Sequence, residues 1–239
     1  MSSTLTARAA PDRAFAVTIP AGSVTLDGEL RLPAEPRGLV IVANGDGDHL
    51  YDRGNAIVAR ELAAAGFAVL TVELLTAEER AEDAETSGLR FNQVLLASRL
   101  VRVTTWTRSH WALGAVDVGY FAGGLCAGAA LAAAAVLPLP RSVVCRSARI
   151  DLGVLLERVC AEVLLLTGEH DAATQRASRL ALARLPESAR MEVVAGARHL
   201  LDEPESLEAV VRLAEAWFGE TLDDGPAIVA GGSGWQPWR

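Results

Sequence analysis

The sequence feature that most constrains the fold is a repeated alternation between short apolar runs and segments with helical spacing. Apolar runs such as LVIVA, FAVLTVEL and AEVLLLTGEHD end in turns or loops, and helical patterns such as GNAIVARELAAAG come between them. Strands that are apolar at consecutive positions are buried on both faces, and this requires helices above and below the sheet. The alternation therefore predicts an α/β fold: a mostly parallel sheet of about eight strands, with helices on both faces.

The two ends of the chain depart from this alternation. Near the start, FAVTIP and VTLDGELRLP alternate apolar and polar residues around turn residues, which predicts a hairpin that opens the sheet. We expect one α/β domain over residues 1–222 and a flexible tail, rich in Gly and Pro, over residues 223–239. The acidic segment 76–90 is either a solvated helix or loop, or a lid over a site.

Composition limits the classes of partner. The formal net charge of −8 disfavours nucleic acid, because binding to a phosphate backbone needs clustered Lys and Arg. The sequence has no apolar run of about 18 residues or more, and its N-terminus lacks the pattern of a secretory signal. We therefore expect a cytoplasmic protein without a membrane partner that acts on a small-molecule substrate. Whether it forms a homodimer stays open.

The three cysteines are far apart and form no CxxC pair, so we expect free thiols and no zinc site. Cys145 and Cys160 lie in apolar strand contexts, where burial as small hydrophobic residues is expected. Cys126 lies in the stretch GYFAGGLCAGAALAAAA, where a predicted strand turns into a predicted helix.

The surroundings of Cys126 are typical of a nucleophile elbow. Gly124 and Gly128 stand two residues before and after it, where a strained strand-to-helix turn leaves no room for β-carbons. A helix N-terminus also lowers the pKa of a thiol through its dipole and free N–H groups. The alternative is a buried cysteine in a chain so rich in Gly and Ala that the motif arises by chance.

A catalytic thiol needs a base to remove its proton and a carboxylate to orient that base. Downstream of Cys126, Asp171 ends the run VLLLTGEHD, and His199 follows the run MEVVAG. Both lie at the carboxyl ends of predicted strands, where open α/β sheets place their sites. We therefore predict a triad of Cys126, Asp171 and His199. The alternatives are an Asp171 that only caps a helix, with Glu169 as competing acid, and a capping or surface His199.

At this point the chain resembles the dienelactone hydrolase family of the α/β-hydrolase fold, over residues 25–220. The resemblance is carried by LVIVANGDG, NAIVARELAAAGFAVLTVELLTAEE, GLRFNQVLLASRL, VGYFAGGLCAGAAL, SVVCRSARIDL, LLLTGEHDA and VVAGARHLLDEPESLEAVVRLAEAWF. It implies a nucleophile, acid and histidine in that chain order, and no metal or organic cofactor. It also implies an oxyanion hole formed by the backbone N–H groups of Ala127 and Asp46.

The chain departs from the family pattern in two places. Relatives often carry His-Gly after the third strand, whereas this chain has Asn44-Gly45, so we expect the loop with the second oxyanion donor to differ in shape. An ungapped comparison with serine-bearing relatives puts Gly124 at the nucleophile position. The alignment that places a glycine two residues before and two residues after the nucleophile puts Cys126 at that position. The triad prediction is based on this alignment.

Four residues near the predicted sheet edge are candidates for contacting the substrate. Asn44 and His49 belong to the loop after the third strand, and Arg146 and Arg149 follow the strand that holds Cys145. The arginines either clamp a substrate carboxylate or form salt bridges with the excess acids of the chain.

The predicted function is hydrolysis of an ester, lactone or thioester. In this hypothesis the Cys126 thiolate attacks the carbonyl carbon, and His199 activates the water that releases the acyl group. One alternative is an acyltransferase that passes the same acyl group to an amine or alcohol. Another is a non-catalytic member of the fold that binds a small ligand.

Overall fold

The computed structural model describes residues 13–45, 49–109, 116–148, 150 and 152–222, with the backbone alone for residues 13 and 49–52. Eight strands form one sheet in the order β1-β2-β4-β3-β5-β6-β7-β8. The strands are β1 Arg13–Ala21, β2 Val24–Leu32, β3 Leu39–Asn44, β4 Ala68–Glu73, β5 Val118–Gly123, β6 Pro140–Arg146, β7 Glu162–Gly168 and β8 Arg190–Val194. β1 and β2 form the predicted hairpin and pair antiparallel, and the strands from β4 to β8 are parallel.

Six α-helices and one 3-10 helix flank the sheet in the described part of the chain. They are α1 His49–Ala64, α2 Ala77–Thr86, α3 Gln93–Arg108, α4 Gly124–Val136, α5 Ala172–Leu182 and α6 Pro204–Leu222, with the 3-10 helix at Gly153–Arg158. α1 and α6 pack on one face of the sheet, and α3 and α4 pack on the other. The predicted fold class is confirmed. The predicted tail, residues 223–239, lies outside the described residues.

Two apolar clusters fill the space between the sheet and these helices. Strand residues alternate between the clusters, so that Val143 and Cys145 of β6 face α4 and Val144 faces α1 and α6. The central strands β3 and β5 are buried at every position, as their continuous apolar runs predict. Open α/β sheets place their sites at the edge where the parallel strands end.

The small residues of α4 let this helix lie close to the sheet. Seven of its thirteen residues are alanine, and most of the helix is buried against β5, β6 and α3. Cys145 of β6 packs beneath it, with Sγ 3.9 Å from the carbonyl oxygen of Ala127. Burial raises the pKa of Cys145 to about 12, so this thiol is protonated at neutral pH. Cys160 is exposed, and the expectation that it is buried is wrong, because it lies in the loop before β7.

The acidic segment 76–90 forms a capped helix, α2. Thr76 Oγ1 accepts a hydrogen bond from the Glu79 backbone N–H at 3.2 Å, and Glu79 Oε2 accepts one from the Thr76 N–H at 2.9 Å. This reciprocal capping box satisfies two backbone donors at the helix start. Glu79 also forms a bidentate ion pair with Arg99 of α3 at 2.5 and 2.6 Å. The segment is thus anchored on α3, and its role as a lid stays a prediction.

A second anchor is the buried carboxylate of Asp83 in α2. It accepts hydrogen bonds from the backbone N–H groups of Leu89 and Arg90, at 2.6 and 3.0 Å, and pairs with the Arg90 guanidinium at 2.5 Å. Burial alone would raise the pKa of Asp83. The hydrogen bonds from Arg90 and Leu89 lower this pKa by more than burial raises it, so the net shift is downward.

Asp83→Asn is therefore expected to lower the free energy of unfolding at neutral pH by about 1.5 to 3 kcal/mol, the range for hydrogen bonds to a charged group. Because the folded-state pKa is depressed, this contribution is present above the pKa of the unfolded chain and is lost as pH falls through the folded-state value. Urea unfolding from pH 7 down to pH 3 measures it. The matched control is Glu82→Gln, an exposed neighbour in α2. Equal stability of the two variants at neutral pH would contradict the anchoring role of Asp83.

Candidate active site

Asp171 and His199 form a hydrogen-bonded pair at the carboxyl edge of the sheet. Asp171 follows β7 as the N-cap of α5, and its Oδ1 accepts the Thr174 N–H at 3.1 Å. Its Oδ2 lies 2.5 Å from His199 Nδ1. Burial alone would raise the pKa of Asp171. Hydrogen bonds from Thr174 and His199 lower this pKa by more than burial raises it, so the carboxylate is ionised. It accepts the Nδ1 proton, which leaves Nε2 of His199 to take a proton from a reacting group.

Backbone packing holds the loop that carries His199. His170 N–H donates to the Ala197 carbonyl at 2.9 Å, and a β-carbon on Gly168 would lie 2.6 Å from the same oxygen. The Ser147 hydroxyl, at the end of β6, donates to the carbonyl oxygen of His199. The loop is thus fixed by direct contact with the ends of β6 and β7.

Glu169, the competing acid, has a different role. Its Oε2 accepts the Gly196 N–H at 2.7 Å, so it braces the turn after β8. The carboxylate that the structure brings to the histidine ring is that of Asp171.

The Asp171–His199 pair lies in the wall of a cavity of about 670 Å³. Its polar described lining comes from Gln93, Thr174 and the pair itself. The apolar and small lining residues are Phe91, Leu125, Gly128, Ala148, Ile150, Leu152, Ala173 and Ala177. A volume of this size, mostly apolar with a few convergent polar groups, is typical of a pocket for a small organic molecule.

The strand-to-helix turn beside this cavity is made by Gly124. Gly123 is the N-cap of α4, and Gly124 has a φ of 53°, in the left-handed region. In a regular α-helix the N-cap carbonyl accepts the first intrahelical hydrogen bond from the residue four positions later, which is Ala127 here. The oxyanion role of Ala127 stays a prediction. The Leu125 N–H is one of those that the first turn leaves without an intrahelical acceptor.

Cys126 is the third residue of α4 and is 1% exposed. It belongs to the apolar cluster between α4, α3 and the sheet. Among the described residues that line the cavity, α4 contributes Leu125 and Gly128 rather than Cys126. The nucleophile role of Cys126 stays a prediction.

Asn44, predicted to contact the substrate, is 5% exposed and held by its neighbours. Its Nδ2 donates to Glu73 Oε1 at 3.0 Å, and its Oδ1 accepts from Asn55 Nδ2 at 2.7 Å. These bonds tie the end of β3 to β4 and to α1. Asn44 therefore links the end of β3 to Glu73 and Asn55 through its side chain.

Arg146 is fully buried and lies against α1, where a β-carbon on Gly54 would overlap its guanidinium group. It shares the sheet face of Val144, opposite to Cys145, and it is absent from the described lining of the cavity. The substrate clamp and the salt bridge with acidic residues both stay predictions for this arginine. Asp46 and Arg149 lie outside the described residues, as does the side chain of His49.

Sequence reasoning missed three residues of the site. The signal for Thr174 is indirect: an Asp after a strand is a preferred N-cap, and its side chain bonds to the backbone N–H two or three residues later. Gln93 donates from Nε2 to the Leu125 carbonyl at 3.1 Å, and Ser147 supports the carbonyl of His199. Neither of these contacts has a local sequence pattern, since each joins distant segments. Within the described chain, no three His, Cys, Asp or Glu side chains group as metal ligands, and no helix has the length and apolar character of a membrane span.

The sheet order, the flanking helices and the acid and histidine after β7 and β8 define the α/β-hydrolase fold. The dienelactone hydrolase of Anabaena variabilis is 39% identical with a TM-score of 0.85, and the match covers 88% of this chain and 99% of that one. An esterase domain of a Rhodothermus marinus protein shares the fold at 15% identity and a TM-score of 0.67, with coverage of 87% and 99%. The chain belongs to the dienelactone hydrolase family.

A curated Mycobacterium tuberculosis protein, provisionally named as a phosphoribosyl transferase, is 41% identical over 214 residues. The match covers 89% of this chain, and the chain spans about half, 47%, of the length of that relative. No family model matches the chain.

Proposed function

We propose that the protein hydrolyses an ester, lactone or thioester with an uncharged acyl group, with His199 and Asp171 as the proton-transfer pair. The observation that carries this proposal is the hydrogen-bonded pair in the wall of an apolar cavity. Asp171 is ionised and accepts from Nδ1, so it orients the ring and stabilises the imidazolium that forms when Nε2 takes a proton.

The first turn of α4 provides the electrostatic part of the reaction. The N–H of Leu125 follows the turn at Gly124, and Leu125 itself lines the cavity. A backbone N–H at a helix start stabilises negative charge that develops on a carbonyl oxygen. We assign this N–H as an oxyanion donor, in the place that the sequence analysis gave to Ala127.

The cavity lining favours an uncharged acyl group. Its described side chains include no arginine or lysine, and Arg146 lies on the other face of the sheet. An anionic substrate would also lie near the ionised carboxylate of Asp171. Desolvating a carboxylate without a cationic partner is costly. A carboxylate clamp by Arg149, which lies outside the described residues, is the alternative that the ester pair below distinguishes.

For a matched pair of esters, one ending in a methyl group and one ending in a free carboxylate, we expect kcat/KM to favour the uncharged ester by about tenfold or more, a difference of about 1.4 kcal/mol. Leu152→Ala should lower kcat/KM for the uncharged ester, because apolar contact area is lost. Leu180→Ala, an exposed residue on α5, is the control. A preference for the anionic ester would contradict the proposed acyl class.

The experiment that tests the function is a panel of p-nitrophenyl esters, lactones and acyl thioesters, with His199→Ala as the matched variant. Hydrolysis that depends on His199 supports the proposal. If no member is hydrolysed and apolar ligands only raise the melting temperature, the chain is instead the non-catalytic binder. Adding amines or alcohols distinguishes hydrolysis from acyl transfer, because an acyltransferase would form amide or ester products.

We do not propose a phosphoribosyl transferase activity for this chain. The matched 214 residues are less than half of that protein, and in this chain they fold as an α/β-hydrolase domain.

A further inference from the structure

We propose that the attacking group in this reaction is a water molecule activated by His199, and that no acyl-enzyme forms. The inference rests on the proposed hydrolase function and concerns the residue at the strand-to-helix turn. In a nucleophile elbow, the nucleophile itself occupies the strained turn, so that its side chain projects above the edge of the sheet. In this chain the residue with the left-handed φ at that turn is Gly124, which has no side chain.

The helical geometry of α4 separates Cys126 from this position. Successive residues of an α-helix are rotated by about 100°, so Cys126 lies about 200° around the axis from Gly128, which lines the cavity. Cys126 instead belongs to the apolar cluster on the side of α3 and is 1% exposed. The thiol is therefore buried in the core and is absent from the described lining of the cavity that holds His199.

The remaining groups suffice for direct hydrolysis. His199 Nε2 takes a proton from water as the water oxygen bonds to the acyl carbon, and the carbonyl electron pair moves onto oxygen. The resulting oxyanion is stabilised by the Leu125 N–H. When the carbonyl re-forms, the bond to the leaving group breaks, and the leaving group takes the proton from the imidazolium. The products are a carboxylic acid and an alcohol or thiol, and the enzyme is unchanged.

The first test uses Cys126→Ala and Cys126→Ser, with a hydrolysed ester from the panel as substrate. We expect both variants to keep kcat/KM within about threefold of the parent. Intact-protein mass spectrometry of parent enzyme quenched in acid during turnover should show unmodified protein. A larger loss in both variants, or an acyl adduct on Cys126, would overturn the inference and leave the hydrolase function standing. If the parent hydrolyses nothing, the hydrolase function itself fails.

The second test places a nucleophile at the turn. Gly124→Ser should react stoichiometrically with a fluorophosphonate probe at the introduced hydroxyl, because the turn residue of a nucleophile elbow projects above the edge of the sheet, the edge that carries His199. Gly124→Ala, which adds the same β-carbon without the hydroxyl, should not react, and Gly124→Ser combined with His199→Ala should react far more slowly. A folded Gly124→Ser that reacts no faster than Gly124→Ala would overturn the inference. If the strained turn prevents Gly124→Ser from folding, the Cys126 variants decide.

Discussion

Replacing His199 with alanine is expected to lower kcat/KM for a hydrolysed ester by about a thousandfold, within the usual range for a general acid–base residue. The pair with Asp171 explains the size of this effect, because the ionised carboxylate holds the ring in one tautomer and supports its positive charge. Among the described residues, His199 contributes the one imidazole in the cavity lining.

Asp171→Asn should lower kcat/KM by about a thousandfold or more, because an amide whose oxygen accepts the Thr174 N–H turns its NH2 group toward His199 Nδ1 and stabilises the tautomer with the proton on Nε2. The cap at Thr174 survives in this variant, since the amide oxygen still accepts the N–H. Steady-state kinetics with circular dichroism as the folding control measure both variants. Parental activity in folded His199→Ala would refute the proton-transfer role. Parental activity in Asp171→Asn would move the orienting carboxylate elsewhere.

Gly168→Ala is expected to lower both stability and activity. A β-carbon here would lie 2.6 Å from the Ala197 carbonyl oxygen and would overlap that of Arg198, and both belong to the loop that precedes His199. Backbone atoms cannot rotate away, so the loop must move. Overpacking of this kind costs about 2 to 3 kcal/mol of unfolding free energy. A shift of the imidazole by about 1 Å would lower kcat/KM by up to about a hundredfold.

Urea unfolding and kinetics on the same preparations test this expectation. Gly88→Ala is the control, because the nearest atom to its added β-carbon is Thr86 Oγ1 at 3.7 Å, an ordinary contact. If Gly168→Ala is as stable and as active as Gly88→Ala, direct backbone packing does not position His199.

The fold was predictable because its strands are apolar at consecutive positions, and such strands have one common solution, a covered parallel sheet. The Asp171–His199 pair was predictable for a related reason: parallel strands end at one edge, so polar residues just after β7 and β8 meet there. These inferences depend only on the order of elements. They do not require exact boundaries.

The position of the turn before α4 did require an exact boundary. The stretch GGLCAG has glycines at 123, 124 and 128, so more than one frame places small residues around the turn. The choice between frames is made by the backbone, which takes the left-handed φ at Gly124. In the proposed mechanism, this difference of two residues decides whether residue 126 or residue 124 occupies the turn above the sheet.

The direction of Arg146 shows a second limit. A strand alternates its side chains between two faces, so Arg146 lies on the face of Val144, beneath α1. The alternation of Val143, Val144 and Cys145 along β6 predicts the face on which Arg146 lies. The position of Arg146 near the strand end does not predict it. The burial of its guanidinium follows from the absence of a side chain on Gly54, a residue about ninety positions earlier, and no local pattern reveals such a contact.

The alanine-rich composition of α4 also limits how the protein can vary. Its buried alanines, such as Ala130 and Ala133, have a single methyl group and no rotamers, so they cannot absorb a larger neighbour by turning aside. Any increase in volume there displaces the helix as a whole, and Gly124 moves with it because it is the first residue of the same helix. The geometry of the site therefore sets an upper bound on side-chain size in the core behind it, beyond any bound set by stability alone.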